Sequence, residues 1–218
     1  MRLSQLAGEA QAYALELRGD CDIQSLSADS REKTAQGLFF CIHGARSDGH
    51  AYAGQAVANG AAALVVTAWQ EELDVPQLLV SNDRAAMALI ARAFYGFADL
   101  GMKLVGITGT KGKTTTSYLV KAILEHSGLR CGLIGTTGNM IGQSWMNSTL
   151  TTPDPIELHK TLRQMADAGC SHVVMEVSAH AIDMRRLEGL VFEAGCFTNL
   201  SQDHLDFFGD MENYYRAK

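Results

Sequence analysis

The stretch KLVGITGTKGKTTTSYLVKAILEHSG, residues 103–128, constrains the fold more than any other part of the chain. A continuous apolar run, KLVGIT, leads into Gly109, Thr110, Lys111 and Gly112, and a helical pattern starts at Lys113. Strand, glycine turn and helix start is the context that a phosphate loop requires. Glycines let successive backbone N–H groups turn toward anionic oxygens, and the helix start adds unpaired donors and a favourable dipole. Lys113 then reaches the β- and γ-phosphates, Thr114 offers a hydroxyl to Mg²⁺, and Thr115 adds another hydroxyl nearby. Gly109, Thr110, Lys111, Gly112, Lys113, Thr114 and Thr115 are therefore the expected ATP-binding residues. The general motif would place a glycine where Ile107 stands, and the nearest glycines are Gly106 and Gly109. The alternative is a glycine turn with an incidental lysine.

Around this loop the pattern is α/β. LFFCI (38–42), AALVV (62–66) and QLLV (77–80) read as strands, and HAYAGQAVANG (50–60) as a short helix. SNDRAAMALIARAFYGF (81–97) reads as a helix capped by Ser81 or Asn82 and closed near Gly96. ADLGMK (98–103) reads as a joint, which gives units of 1–98 and 99–218. In the second unit, CGLIGT (131–136), HVVMEV (172–177) and AGCFTNL (194–200) alternate with helices at 113–128 and 155–169. That order implies a mostly parallel sheet. In the helix at 113–128, Leu119 with Ile123 and Val120 with Leu124 mark the apolar side. The segment GDMENYYRAK begins a helix capped by Asp210 and then stops, so the chain reads as the front portion of a longer protein.

Composition removes several function classes. The net charge is -6, with no basic stripe, which disfavours nucleic acid as a partner. No apolar run reaches the roughly 18 residues of a membrane span. The first residues do not read as a cleaved signal segment. Five cysteines are widely spaced and form no CxxC, which suits small buried residues in a reducing cytoplasm.

Several residues beyond the loop are placed where chemistry occurs. Glu176 ends the strand HVVMEV, at the carboxyl edge where ligands bind in such sheets. A carboxylate beside Thr114 suits Mg²⁺; a solvated strand end is the alternative. His204 also follows a strand, although magnesium prefers oxygen ligands. Thr151 and Thr152 offer hydroxyls before the helix at Pro155, with helix capping as the alternative. His43, Gly44, Arg46 and His50 mark a loop after LFFCI, in which His50 could instead cap a helix.

Taken together, DSR (29–31), GITGTKGKTTT (106–116), LTTPD (150–154), MEVSAHAI (175–182) and FTNLSQDHLDFFGDMENYYRAK (197–218) resemble the Mur ligases. These are ATP-dependent amide-forming enzymes of peptidoglycan assembly, and they too carry GTxGKT. The likeness is greatest to the branch that adds the third amino acid to UDP-N-acetylmuramoyl-L-alanyl-D-glutamate. It implies a UDP-substrate domain followed by the first part of an ATPase domain, with a C-terminal domain not visible in this sequence. It further implies two Mg²⁺ ions held by Thr114, Glu176, His204 and Lys218, with Lys218 carbamylated by CO₂. Lys113, Lys218 and His204 would be the catalytic residues. Ser30, Thr151, Thr152, Ser178 and Arg186 would contact the substrate. Ala179 and Met184 stand where the family often has serine and glutamine.

The resemblance implies a cytoplasmic monomer whose second substrate is a diamino acid, meso-2,6-diaminopimelate in preference to L-lysine. Two rivals differ in class. One is a folylpolyglutamate or cyanophycin synthetase on the same ATPase plan, which the DSR-bearing first domain disfavours. The other is a nucleotide-dependent switch, which has no need of a carbamylated lysine.

Overall fold

Short apolar strands flanked by alanine-rich helices build the first half of the chain in the computed structural model. It describes residues 1–218 except Ala45, Arg46, Ala98, Asp99, Asn147 and Thr149. The expectation for Arg46, and the start of the expected joint at 98–103, therefore lie outside the described residues. Contacts divide the chain into Met1–Phe94 and Tyr95–Lys218.

In the first unit, β1 (Ala14–Arg18), β2 (Ser25–Ser27), β3 (Gly37–Phe40), β4 (Ala61–Val66) and β5 (Gln77–Val80) form one sheet in the order β1-β5-β4-β3-β2. Only β1 runs antiparallel to its neighbour. Helices α1 (Leu3–Glu9), α2 (Ala53–Ala58) and α3 (Asp83–Phe94) cover it. Ala53 and Ala56 of α2 pack on Phe39, Leu64 and Val66. Their small side chains let the helix approach the strands closely. Asn82 caps α3 by accepting the Ala85 N–H at 2.9 Å. The segment expected as one helix at 50–60 is a 3-10 turn, Gly49–Tyr52, followed by α2. Asp48, rather than His50, caps that turn through the His50 N–H.

The second unit has a six-stranded sheet: β6 (Lys103–Thr108), β7 (Cys131–Gly135), β8 (Gly138–Ile141), β9 (Ser144–Met146), β10 (His172–Glu176) and β11 (Ala194–Phe197). The order is β11-β6-β10-β7-β8-β9. The first four are parallel, and β8 and β9 add an antiparallel hairpin. Helix α4 (Lys113–His126) lies on one face, with Val120 and Leu124 against Ile107, Leu133 and Val174. Helix α5 (Pro155–Asp167) brings Leu158, Leu162 and Met165 against Leu104, Ile134, Val173 and Met175. Each such side chain, fully buried, contributes roughly 1.5–3 kcal/mol of transfer free energy. Short helices α6 (Ala179–Asp183), α7 (Leu205–Phe208) and α8 (Met211–Ala217) follow the strand ends.

The apolar side expected for α4 is corrected in part. Val120 and Leu124 face the sheet, but Leu119 and Ile123 are 60% and 65% exposed. The buried positions are Ser117 and Lys121, which share the helix face of Val120 and Leu124 at three- and four-residue spacing. Lys121 is tolerated there because its ammonium pairs with Glu125 at 2.7 Å, and Gln143 donates to the other carboxylate oxygen of Glu125. All five cysteines are free thiols, and burial pushes Cys41 up to about 12 and Cys131 up to about 11. Among the described residues, no helix is long and apolar enough to cross a membrane.

Candidate functional site

The loop between β6 and α4 is shaped by two glycines in the left-handed region, Gly109 at φ 136° and Gly112 at φ 82°. At Gly109 a side chain is also excluded by space: a Cβ would lie 2.0 Å from Thr198 Oγ1. The segment after β11 clasps the loop from that side. Asn199 O accepts the Thr110 N–H at 2.9 Å, Asn199 Oδ1 accepts the Lys111 N–H at 3.1 Å, and Asn199 Nδ2 donates to Lys111 O at 3.0 Å. Thr110 is buried, and its hydroxyl lies within hydrogen-bond distance of Ser201 O, Ser201 N and Tyr214 Oη. The N–H and hydroxyl of Thr110 are thus committed to the protein, so this residue ties α8 to the loop. Lys111 and Thr115 have exposed side chains.

Two lysines converge on the loop. Lys113 Nζ donates to Gly109 O and Thr110 O, each at 3.0 Å, and Lys218 Nζ donates to Gly109 O at 2.9 Å. Desolvation, and next the positive charge of Lys113, hold the Lys218 amine down at about 8. Its Nζ also lies 4.8 Å above the Tyr214 ring.

Glu176 is fully buried at the end of β10, beside Ile107 of β6. A buried carboxylate needs donors. It has three: the Thr114 hydroxyl and the Thr136 hydroxyl on Oε2, and the Thr136 N–H on Oε1, all at 3.0 Å. Thr114 Oγ1 and Glu176 Oε2 are hard oxygen donors. Their 3.0 Å separation is close to the roughly 2.9 Å expected between adjacent ligands of an octahedral Mg²⁺. The donor set therefore fits magnesium. Gly135 makes room for the carboxylate, since a Cβ there would lie 2.4 Å from Glu176 Oε1. Gly135 and Thr136 were not expected as site residues. The signal was the run LIGTT, but its meaning depends on β7 lying beside β10.

The threonines before α5 face this cluster. Thr151 Oγ1 is 3.0 Å from Thr136 Oγ1, and Thr152 Oγ1 donates to Glu176 O at 2.9 Å. Asp154 caps α5 through the N–H groups of Ile156 and Glu157, so capping is not the task of Thr151 or Thr152. Ser178 Oγ caps α6 and lies 3.4 Å from Thr152 Oγ1. Arg186 donates to Thr152 O at 2.7 Å and to the sulfur of Met184 at 3.5 Å. Met184, which stands where the resembled family often has glutamine, thus still meets the guanidinium.

His204 sits in a different group. It has φ 54°, and its ring lies 4.7 Å from that of His180 and 6.2 Å from that of Tyr214. His180 packs on Phe207 and Phe208, and desolvation, then the neighbouring His204, lower its pKa. Among the described residues, no hydrogen bond joins His204 to Glu176 or Thr114.

In the first unit, Ser30 donates to Gln55 Oε1 at 3.1 Å, and its carbonyl accepts from Asn59 Nδ2 at 2.8 Å. Hydrogen bonds from the side chain and backbone of Arg31 hold the Asp29 carboxyl down at about 2. The loop after β3 gathers His43, Asp48 and His50, with one ligating atom of each within 4.8 Å of the others. Both His50 nitrogens are engaged, Nδ1 with Asp48 at 2.6 Å and Nε2 with the Thr67 N–H at 3.0 Å. That ring is a strut for the loop.

Comparison with known proteins matches residues 107–218 to the Mur ligase middle domain and residues 22–95 to the Mur ligase family catalytic domain. A UDP-N-acetylmuramoyl-L-alanyl-D-glutamate--2,6-diaminopimelate ligase of Clostridium acetobutylicum is 44% identical over all of this chain and 45% of its own length. The protein of that name from Geobacillus thermodenitrificans is 42% identical over all of this chain and 44% of its own. The chain thus spans less than half the length of these relatives. A solved UDP-N-acetylmuramoyl-L-alanyl-D-glutamate--2,6-diaminopimelate ligase superposes with TM-score 0.79 at 28% identity, over 89% of this chain and 40% of that one. MurF from Acinetobacter baumannii shares the fold, at TM-score 0.63 and 22% identity, over 99% of this chain and 44% of its own.

Proposed function

The chain belongs to the Mur ligase family, and on that premise we propose that its two units serve ATP-driven amide synthesis in peptidoglycan assembly. The substrates proposed are UDP-N-acetylmuramoyl-L-alanyl-D-glutamate and meso-2,6-diaminopimelate, the amino acid carried in the names of the relatives. The carboxylate of the D-glutamate attacks the γ-phosphorus of ATP, giving an acyl phosphate and ADP. The amine of the diamino acid attacks the activated carbonyl, loses a proton, and phosphate leaves. Lys113 and the loop N–H groups that remain free offset negative charge as it shifts between oxygens. Thr151, Thr152, Ser178 and Arg186 orient the dipeptide end, and Ser30 contacts the uridine nucleotide. The setting is the cytoplasm.

Magnesium would be held by Thr114 and Glu176, with His204 and Lys218 serving a second ion, and would supply charge neutralisation at the phosphates. Lys218 takes part as a carbamate: the ammonium gives one proton to solvent, the neutral amine attacks CO₂ and releases a second proton, and a +1 group becomes a -1 group with two oxygens. The lowered pKa supports this, because only the uncharged amine reacts.

The observation that carries the reading is the meeting of Lys113, Lys218 and the Thr114–Glu176 pair around one glycine loop. ADP release is measured with UDP-N-acetylmuramoyl-L-alanyl-D-glutamate, with and without diaminopimelate or L-lysine, and products are weighed by mass spectrometry. Dipeptide-dependent ADP release and a diaminopimelate tripeptide support it. ADP release indifferent to the dipeptide would favour a nucleotide switch.

A further inference from the structure

We infer that Thr136 is the positioning residue of the cation site and couples that site to the threonines at the substrate end. This rests on the reading of Thr114 and Glu176 as magnesium ligands. Thr136 holds Glu176 twice, by its N–H on Oε1 and its hydroxyl on Oε2. The third donor to the carboxylate is the Thr114 hydroxyl, on the same Oε2. A cation shared by Thr114 and Glu176 uses the lone pairs of both groups, so Thr114 stops orienting the carboxylate and becomes its fellow ligand. Thr136 then holds the carboxylate in place.

The hydrogen-bond directions are fixed by counting protons. Thr136 has one hydroxyl proton. With that proton on Glu176, the 3.0 Å contact between Thr136 and Thr151 requires Thr151 to donate. A directed chain results: Thr151 hydroxyl to Thr136 hydroxyl to carboxylate. Polarisation along such a chain strengthens each bond. The adjacent Thr152 reaches the Glu176 backbone carbonyl at the same time. A substrate group that captures the Thr151 hydroxyl therefore alters the field at the carboxylate that holds the cation. Outer partners of metal ligands typically set about 10–100-fold in affinity.

Mn²⁺ binding to the ADP-loaded protein, followed by electron paramagnetic resonance, tests the inference without turnover. Thr136→Val keeps the N–H and removes the hydroxyl; the expected loss is about 10-fold or more. Thr136→Ser restores binding to near wild type. Thr151→Val weakens binding by a smaller factor and adds nothing in the Thr136→Val background. Thermal melts establish that the variants are folded, and Thr151→Val supplies the answer if Thr136→Val is not. Wild-type affinity in Thr136→Val, or failure of serine to rescue, overturns the positioning role. Additive losses for the two positions overturn the coupling. A wild-type protein that binds no Mn²⁺ with ADP sinks the nucleotide-site reading itself, and this inference with it.

Discussion

Lys113 and Lys218, separated by 105 positions in sequence, donate to the same carbonyl oxygen, that of Gly109, at 3.0 and 2.9 Å. Burial, and next the positive charge of Lys113, disfavour the charged form of Lys218, whose amine is held down at about 8 against 10.5 for a free lysine. The folded state therefore holds this proton less tightly than the unfolded chain. Below pH 8 both states are charged and the full cost is present. As pH rises from about 8 to 10.5 the folded state sheds the proton first, so stability from this group increases across that window.

Carbamylation should follow the same titration. With ¹³C-bicarbonate, a carbamate carbon signal is expected at pH 8. The supply of neutral amine drops roughly tenfold per unit well below that pH. Lys113→Ala removes the second cause of the lowered pKa, so carbamate at pH 7 should decrease. An unchanged signal would show that Lys113 does not set the amine.

Gly109→Ala and Gly112→Ala should differ. The first meets Thr198 Oγ1 and also carries a positive φ; the second carries the positive φ with no atom within 4 Å. Strain at a left-handed residue alone costs on the order of 1 kcal/mol. Thermal melts should therefore show a loss near that figure at Gly112, and about 2 kcal/mol or more at Gly109. Fluorescent ADP binding should fail in Gly109→Ala.

Tyr214→Phe removes the hydroxyl that meets Thr110 and leaves the ring in its buried place. A loss of about 1 kcal/mol in denaturant unfolding is expected, typical of one hydrogen bond. The carbamate signal of Lys218 should fall as well, because the tie from α8 to the loop is cut.

Asp154→Ala serves as the control. It deletes the cap of α5 and should cost about 1 kcal/mol. Nucleotide affinity should stay at the wild-type value, since Asp154 takes no part in the hydrogen bonds around the loop.

The strand, glycine turn and helix start of the loop, and the place of Glu176 at a strand end, were legible in the sequence because each is a local feature. The contacts of Thr136 and Gly135 with Glu176 were not, because they arise only when β7 pairs with β10 and Ile134 comes level with Met175. The exposed face of α4 was misread for a related reason. Leu119 and Ile123 look like core residues until the sheet accepts Ser117 and a neutralised Lys121 in their place. The strands β8 and β9 are short and partly polar, and the turn residue Gly142 at φ 57° was their clearest mark. His204 was expected as a site residue by likeness alone, and the structure surrounds it with aromatic rings.

Gly135 has no chemistry of its own, yet its bare α-carbon leaves the gap into which Glu176 extends. A saturation library should consequently find this silent position nearly as intolerant as the acidic residue it shelters. A single added methyl would push the carboxylate aside while leaving every reactive group intact. Screens that score only ionisable side chains would overlook it, and an inactive clone with a complete set of functional groups is the form in which it would first be noticed.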